Sequence, residues 1–410
     1  MGIRASFIAM GVLLSGLSAS SYAANDAPPD ADTITLRATC TEDNGTVEIS
    51  NCFTSMEEID SWLLNVRHPS DTRPTVINIG PGAFGGWHCK SSHVTLRGSG
   101  RSQTRFVVSG SSSGAAMWIQ PGCTNLNVQD MSFDGSQGAW GVGVNNLEAI
   151  TSWTNVEISG PWYGWLESIP QSCANHSGKH VWFSSRIVST GISTIGKFSS
   201  RAYTASCAAS WFFGSELVSM VNDNEASAFA LEAHGAEIHL YGSNARLLLS
   251  SDTVAASFGS AGGGHYLIGA TQGSSVHIHG TGLDVVHAGN GTADMLYADS
   301  TSHFHANESG FNIHVAGEGV VRRIAGTGAI EAPYVWKQGT QPPLSTSANG
   351  VNTLISVSGA DTYIETDCPL TGNCSLGGSV PRPMIYRAEC PGTGINQGPW
   401  FDLTTRSCRQ

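Results

Sequence analysis

The sequence predicts an all-β fold. Within that class it favours a right-handed parallel β-helix, a solenoid with an N-terminal capping helix and a disulfide-tied C-terminal tail. Charged residues make up only 13% of the 410 residues, against about 25% in ordinary globular domains, while glycine occurs 49 times. Short β-rich segments are bounded by Gly, Ser or Asn, and one pattern repeats in the second half of the chain.

The strand-like segments begin near residue 74, and we expect the β-helix to occupy residues 74–340. The segments 75–79, 93–97 and 104–108 are brief and β-rich, and similar segments follow them. Disorder is the competing interpretation of a chain so rich in small polar residues. It is disfavoured because hydrophobic residues reach 40%, including 11 Trp, which is enough to bury a sizeable core.

The repeat joins three segments whose starts lie 38 and then 28 residues apart, a spacing that suits solenoid coils with loops of variable length. The segments start at Phe229, Leu267 and Met295. In this alignment His239, His277 and His305 share one position. Because side chains alternate along a strand, the residue before each histidine should face the core and the histidines should face outward. Those core residues are Ile238, Val276 and Phe304.

Residues 24–73 form an N-terminal segment whose main element is a helix predicted over 54–67. Ser55 followed by Glu58 is a capping-box pattern, and Pro69 ends the run. A solenoid must cover its open end, because an uncapped end exposes apolar core and unpaired backbone. We therefore predict that this helix is the N-terminal cap, with a helix that binds a partner as the alternative.

Residues 1–23 have the pattern of a secretory signal peptide. Arg4 precedes a short apolar run, and small residues lead to Ala23. The apolar run is shorter than the roughly 20 residues that a membrane-spanning helix needs. We expect cleavage after Ala23, with Ala24 as the alternative, and no integral membrane segment. The mature protein is then secreted or periplasmic.

Ten cysteines follow the predicted cleavage site, an even number that suggests up to five disulfides in an exported chain. Local pairing is expected for Cys40 with Cys52 and for Cys368 with Cys374, while the other pairings stay open. The lack of a C-x-x-C pair argues against a zinc site. The cysteine-rich tail, residues 341–410, should pack on the solenoid or cover its end, with a small binding module as the alternative.

The formal net charge of −12 limits the partners of the protein. Binding of nucleic acid needs clustered Lys and Arg that neutralise phosphates, so we expect no nucleic acid as a partner. An acidic protein can still bind an acidic glycan if it presents a local basic groove.

Three segments resemble the opening coils of the pectate lyase-like superfamily. Ile77–Phe84 combines an apolar strand with a Pro-Gly-aromatic turn, and Val94–Thr104 combines a strand with a Gly-x-Gly turn before a threonine. Leu126–Gly135 is similar to the next coil of those proteins. The resemblance implies a right-handed parallel β-helix. Many members cleave, de-esterify or bind acidic polysaccharides, while others are adhesins or phage tail proteins.

The catalytic signatures of that superfamily do not carry over to this chain. It lacks the Asn-Thr-Asp, Gly-His-Gly and Arg-Ile-Lys set of polygalacturonases and the Asp-Phe-Ile-Phe-Gly of pectinesterases. Fold alone does not determine function. We therefore expect an exported protein that binds or degrades a polysaccharide, an acidic one or a cell-surface glycan, along a groove on its parallel sheet. As an enzyme it would be a polysaccharide lyase or glycoside hydrolase. The alternative is a non-catalytic surface or adhesion scaffold.

Asp130 and Asp134 are the first catalytic candidates. Paired carboxylates serve glycoside hydrolysis, one as acid and the other as base or nucleophile. The alternative is turn chemistry, because Asp before Gly is a common turn residue.

The densest basic stretch in the middle of the chain offers a second set of candidates. Lys179 and Arg186 are the catalytic candidates of this stretch, and Lys197 and Arg201 are substrate-binding candidates. A lyase needs cations that neutralise a uronate and a base that removes the α-proton. Ordinary surface charge is the alternative.

Aromatic residues and histidines complete the predicted substrate-binding set. Trp153, Trp162, Tyr163 and Trp165 lie close together in sequence and would form a sugar-stacking platform if exposed, or part of the core if buried.

The histidine column of His239, His277 and His305 would have a spacing of about 4.8 Å if the three coils are adjacent. It would bind substrate, or form a solvated polar ladder. A flat sheet rarely converges ligands at zinc distances, so no metal site is predicted there. Calcium is the candidate cofactor, because the acidic cluster 222–225 offers oxygen ligands. The alternative is an ordinary loop, because the cluster lacks EF-hand spacing.

Overall fold

A computed structural model describes most of the chain. The described residues are 32–41, 50–108, 114–168, 170, 172–174, 176–191, 200–221, 227–249, 264–287, 292–307, 309–315, 320–326, 329–331 and 335–338, with short strands between 354 and 409. The predicted signal peptide, the acidic cluster 222–225 and the expected pair of Cys368 with Cys374 lie outside the described residues.

The described chain is almost entirely strand. In the first half the strands are β1 (Thr33–Leu36), β2 (Cys52–Phe53), β3 (Thr75–Ile79), β4 (Gly82–Gly85), β5 (Trp87–Cys89), β6 (Val94–Arg97), β7 (Thr104–Val107), β8 (Ala115–Ile119), β9 (Leu126–Asp134), β10 (Trp140–Val144), β11 (Ile150–Gly160), β12 (Tyr163–Glu167), β13 (Lys179–Phe183), β14 (Arg186–Ser189), β15 (Ser200–Ser206), β16 (Ala209–Phe213) and β17 (Glu216–Val221).

In the second half they are β18 (Ala228–His234), β19 (Glu237–Tyr241), β20 (Asn244–Leu249), β21 (His265–Thr271), β22 (Ser275–His279), β23 (Gly282–His287), β24 (Thr292–Ala298), β25 (His303–Asn307), β26 (Ser309–Val315), β27 (Val320–Gly326), β28 (Ala329–Glu331), β29 (Val335–Gln338), β30 (Leu354–Ser356), β31 (Thr362–Ile364), β32 (Ile385–Tyr386), β33 (Trp400–Asp402) and β34 (Ser407–Arg409).

These strands wind as a right-handed parallel β-helix, as the sequence predicts. One side of the coils is a nine-stranded parallel sheet formed by β5, β8, β10, β12, β15, β18, β21, β24 and β27. The other strands of the coils belong to a twenty-stranded sheet made of two ladders. Ladder I contains β3, β6, β13, β16, β19, β22, β25, β28 and the first halves of β9 and β11. Ladder II contains β4, β7, β14, β17, β20, β23, β26, β29 and the second halves of β9 and β11.

A left-handed residue turns the chain from ladder I to ladder II in successive coils. The positions with φ near +50° at this corner are Asp130, Asn155, Ser184, Gly214, Gly242 and Gly280. Only Gly, and less readily Asn, Asp or another small polar residue, adopts this conformation at low cost. The corner that recurs once per coil is therefore occupied by Gly or by a small polar residue.

The core lies between ladder I, ladder II and the nine-stranded sheet, and the predicted alternation is confirmed. Ile238, Val276 and Phe304 are fully buried, while the histidines that follow them face outward. Aromatic rings stack from coil to coil inside, with centroids 5.1 Å apart for Trp153 and Trp182 and 5.8 Å apart for Trp182 and Phe212. The repeat therefore builds one continuous core.

The predicted repeat alignment is correct at the histidines but is shifted by one residue in the nine-stranded sheet. His239 is paired with His277, as expected, whereas Phe229 is paired with Tyr266 rather than Leu267. The turn that joins the two sheets has two residues after β18 and three after β21. One extra turn residue thus changes the register between the two sides of the coil.

The predicted N-terminal helix is confirmed, and it covers buried residues at the start of the solenoid. Helix α1 spans Met56–Trp62 and continues as a π-helical turn, Leu63–Arg67. Ser55 and Glu58 form the expected capping box. Buried Arg67 donates to Asp32 at 2.7 Å, which ties the helix end to the segment that enters β1.

Three disulfides tie the coils together within the described residues. They join Cys40 to Cys52, as predicted, Cys89 to Cys123, and Cys173 to Cys207. Disulfides of this kind are typical of proteins that mature in an oxidising compartment. Within the described part of the chain, no helix is long and apolar enough to cross a membrane.

The corner positions allow a direct test of the fold. A Cβ at Gly242 would meet no atom within 4 Å, so the cost of a substitution there comes from the backbone, at φ +54°. We expect Gly242→Val to lower the free energy of unfolding by about 1–2 kcal/mol, because a β-branched residue is disfavoured at positive φ. The matched Gly242→Asn should change it by less than about 0.5 kcal/mol. Urea unfolding followed by tryptophan fluorescence measures both, and equal losses would contradict the corner assignment.

Candidate functional site

The outer side of the nine-stranded sheet carries two columns of aligned side chains, several of which are buried, among them Phe229, Glu232 and Tyr266. Coil register places equivalent residues one above another. One column contains Trp140, Tyr163, Arg201, Phe229, Tyr266 and Asp294. The other contains Trp118, Gly143, Leu166, Thr204, Glu232, Gly269 and Tyr297. We call this surface the nine-stranded face.

Arg201 is the centre of the nine-stranded face. Its Nη1 donates to the Tyr163 hydroxyl at 2.9 Å, and its Nε lies 2.6 Å from Oε2 of Glu232. Its guanidinium carbon lies 5.4 Å from the ring centroid of Tyr163 and 5.0 Å from that of Phe229. The Arg201 side chain keeps 18% of its surface exposed. A cation is therefore held between two rings and still reaches solvent.

Glu232 balances this cation from the next coil. Its Oε2 also accepts a hydrogen bond from Thr204, and its Oε1 lies 3.3 Å from Nε2 of His234. Burial alone would raise the pKa of Glu232, but Arg201 and His234 outweigh burial and hold that pKa below its ordinary value. Glu232 is therefore a carboxylate at neutral pH.

His234 and Tyr163 complete the cluster. The Nδ1 atom of His234 is hydrogen-bonded to the Thr271 hydroxyl at 2.8 Å, so contacts on both ring nitrogens orient the imidazole. Burial raises the pKa of the Tyr163 phenol, and Glu232 raises it too, against the opposing effect of Arg201. Tyr163 is accordingly a neutral hydroxyl at physiological pH. The cluster thus combines a cation, a carboxylate, an imidazole and a phenol.

Aromatic rings flank the charged cluster along the solenoid axis. On the N-terminal side Trp118 and Trp140 meet edge to face with centroids 5.3 Å apart. A Cβ at Gly143 would lie 2.3 Å from the Trp118 ring, so glycine lets this ring lie over the next strand. On the C-terminal side Tyr297 is half-buried and meets Tyr266 edge to face at 5.1 Å. Along the solenoid axis, the face therefore carries aromatic side chains, then the charged cluster, then aromatic side chains again.

Some of the predicted aromatic residues belong to this face and others do not. Tyr163 contacts Arg201, and half-buried Trp162 precedes it in the chain. Trp153 and Trp165 are fully buried and contact each other inside the core. The expectation that these two rings stack on sugar is therefore corrected, because neither has a face open to a ligand. Both rings are part of the core, which was the alternative expectation.

The carboxylates Asp130 and Asp134 both lie in β9. Asp130 is the left-handed corner residue, and its Oδ1 accepts a hydrogen bond from Asn155 at 2.5 Å. Asp134 accepts from the backbone of Ser136 and lies 3.7 Å from Arg105. Four residues of strand separate the two by roughly 13 Å, beyond the ~9.5 Å of an inverting glycosidase pair. The structure does not bring them together.

The predicted basic residues lie on different sides of the solenoid. Lys179 is exposed at the start of β13 in ladder I. Arg186 lies in ladder II and is ion-paired with Glu157 at 3.5 Å and Glu216 at 2.8 Å. Arg201 is on the nine-stranded face, and Lys197 lies outside the described residues. The described part of this set therefore forms no single basic groove.

The predicted histidine column exists and occupies adjacent coils. His239, His277 and His305 are directly paired in ladder I. Within the described ranges, no group of three or more His, Cys, Asp or Glu side chains is arranged to hold a metal ion.

A second Glu–His pair differs from the cluster because it is enclosed. Glu167 and His180 are both buried, with 3.1 Å between Oε1 and Nε2. Glu167 also accepts from the Trp165 indole at 3.1 Å and from the backbone of Ser206 at 2.6 Å. This satisfied network holds the core together and has no route to a substrate.

The sequence interpretation missed Glu232 and His234, and also Trp118 and Trp140. The segment Leu231–His234 offered a signal, because Glu and His two residues apart in a strand share one side of the sheet. Their partner Arg201 belongs to another coil, so their proximity depends on the register.

Comparison with known proteins concerns the fold. A scan against models of known protein families finds no match, and a sequence search among characterised proteins finds none. The structure is similar to a pectin methylesterase from Erwinia chrysanthemi, with 10% identity over 72% of this chain and 90% of that chain and a TM-score of 0.36. It is also similar to the A-module of a mannuronan C-5 epimerase from Azotobacter vinelandii, with 9% identity, 71% and 96% coverage and a TM-score of 0.36. The likeness is one of fold alone.

The charged cluster is tested by removing its charges singly and together. We expect Arg201→Met to lower the free energy of unfolding at neutral pH by about 3–5 kcal/mol, because it leaves Glu232 buried without its cation. Adding Glu232→Gln should restore most of that loss. Urea unfolding of both single variants and the double variant measures the coupling.

The pH dependence checks the same pair. A depressed pKa means that Glu232 contributes stability above its unfolded pKa of about 4.5, and this stability is lost as pH falls through the folded value. The acid limb of the stability curve should therefore flatten in Glu232→Gln. Additive single effects and an unchanged acid limb would contradict the coupling.

Proposed function

We propose that this exported protein binds an acidic polysaccharide along the nine-stranded face, with Arg201 as the group that receives a sugar carboxylate. The observation that supports this most directly is that the Arg201 side chain, held between two rings, keeps 18% of its surface exposed. Nε and Nη1 are engaged by Glu232 and Tyr163, and among the described residues none accepts a hydrogen bond from Nη2. A guanidinium with an available N–H is suited to carboxylates.

The surroundings of Arg201 also favour a sugar polymer. Trp118 and Trp140 on one side and Tyr297 on the other offer aromatic surface on the same face, two or three coils from the cation. Sugar-binding sites combine such apolar surface with a few polar groups that set orientation. Successive coils repeat at about 4.8 Å, so a linear chain of sugars that follows the axis would pass aromatic rings and the cation in turn.

Among reactions, the cluster supports elimination better than hydrolysis. Arg201 would neutralise a uronate carboxylate and so make the α-proton more acidic, while Tyr163 and His234 are the groups suited to proton transfer. Hydrolysis uses two carboxylates that flank the scissile bond. The cluster contributes one, Glu232, which is already paired with Arg201. A polysaccharide lyase is therefore the enzyme class that we propose, and a non-catalytic glycan-binding scaffold is the second candidate.

Export is part of the proposal. It rests on the signal-peptide pattern of residues 1–23 and on the three disulfides, which form in oxidising compartments. In such a setting the partner would be a wall or surface glycan.

Binding is tested with polygalacturonate and alginate as acidic probes and dextran as the neutral control, by isothermal titration calorimetry near pH 7.5. Arg201→Lys keeps the charge but loses the forked donors, so we expect binding at least ~10-fold weaker. The matched control Arg246→Lys alters an arginine that is ion-paired with Glu216 and Asp284 on ladder II, and should bind as the unsubstituted protein does.

The same samples distinguish the two candidates. New ultraviolet absorbance from unsaturated uronate ends, lost in Tyr163→Phe, would establish a lyase. Binding without absorbance or loss of polymer size would support the scaffold. Equal binding of dextran, or equal weakening by Arg201→Lys and Arg246→Lys, would refute the proposed site.

A further inference from the structure

Ladder I carries five outward histidines on three adjacent strands. They are His239 on β19, His277 and His279 on β22, and His303 and His305 on β25. We call this surface the histidine face. Ladder I and the nine-stranded sheet are different sides of each coil, so the histidine face is separate from Arg201.

The imidazoles of the histidine face contact one another. The rings of His239 and His277 stack with centroids 4.5 Å apart and planes 7° apart. The His277 centroid lies 6.1 Å from those of His303 and His305. The Ser275 hydroxyl joins Nε2 of His277 at 2.8 Å to Nε2 of His303 at 2.7 Å. Because that hydroxyl has one proton, it donates to one ring and accepts from the other, which suits neutral rings.

Few charged side chains lie near these histidines, where they could raise or lower the charge of the imidazoles. On β19, Glu237 accepts a hydrogen bond from Nε2 of His239 at 2.8 Å. On the N-terminal side, the outward residues of β16 are uncharged, namely Ala209, Trp211 and Phe213. Lys179 on β13 starts the column that leads through Ala209 to Glu237. On the C-terminal side, Glu331 of β28 is the register partner of His305. Among the side chains that the structure describes on these strands, the carboxylate of Glu237 thus faces the imidazoles.

The local charge of the face depends on pH. Burial lowers the pKa of His277, and the neighbouring His239, His303 and His305 lower it further, against a weaker opposing effect of Glu237. Burial and the neighbouring rings thus disfavour the charged form of His277. As pH falls, several neighbouring rings gain protons and the face becomes cationic on a chain whose net charge is −12.

We propose that the histidine face is a second glycan-binding surface, which binds an acidic polysaccharide when its imidazoles are protonated and releases it near neutral pH. The class of partner rests on the proposed function, while the pH dependence rests on the histidines alone. His239, His277 and His305 repeat along the solenoid axis at about 4.8 Å, so a linear polymer with regular carboxylates can engage several at once. An anion that binds charged imidazoles also raises their affinity for protons, so affinity increases as pH falls.

The test compares polygalacturonate affinity near pH 7.5 and near pH 5, a range that spans histidine titration. We expect at least a ~10-fold gain at the lower pH in the unsubstituted protein. The triple variant His277→Gln/His303→Gln/His305→Gln should gain less than ~2-fold. His176→Gln changes a histidine in the turn before β13, and this control should keep the full gain. Circular dichroism checks that the triple variant retains its β structure.

A second variant works in the opposite direction and does not depend on the triple variant folding. His303 is exposed, so His303→Lys places a permanent cation on the face and should strengthen binding near pH 7.5 several-fold. An acid-dependent gain that survives in the triple variant, or no gain in the unsubstituted protein, would overturn the proposal. Equally tight acid-dependent binding of duplex DNA would overturn the assignment to polysaccharide.

The two binding proposals fail in different ways. If Arg201→Lys does not weaken binding at neutral pH, while histidine-dependent binding in acid remains, the proposed site on the nine-stranded face is refuted. The proposed site on the histidine face is then unaffected. The reverse result would refute the histidine face alone.

Discussion

The register between successive coils is the constraint on which the rest of the structure depends. Parallel hydrogen bonding places each residue above its equivalent in the next coil, about 4.8 Å away. Each side chain in one coil therefore has a neighbour at a fixed position in the next coil. The buried stack of Trp153, Trp182 and Phe212, the left-handed corners and the aligned histidines are all consequences of this geometry.

The same constraint explains the charged cluster on the nine-stranded face. Arg201 is covered by its neighbours Tyr163 and Phe229 in the column, and it leans toward Glu232 in the next column. A cation so enclosed is stable only because a carboxylate is held against it. Enclosure also strengthens its attraction for a further anion, since screening by water is reduced there. Stability and binding thus depend on one side chain.

Much of the fold could be predicted from the sequence because it follows from local patterns. The capping box of Ser55 and Glu58 and the alternation around His239 and His277 depend on residues close in the chain. The charged cluster could not be predicted in the same way. Arg201 and Tyr163 are 38 residues apart, and their contact depends on the length of the loops between coils. A single additional turn residue already shifts the alignment of Phe229 by one position.

Amide hydrogen exchange of the intact protein, with and without a saturating acidic oligosaccharide near neutral pH, tests the central claim most directly. Under these conditions the proposed histidine face releases acidic polysaccharide, so only the nine-stranded face should respond. We expect slower exchange in β12, β15 and β18, around Tyr163, Arg201 and Glu232, and no change in β17 and β20 of ladder II. Protection confined to ladder II, or none at saturation, would contradict the account.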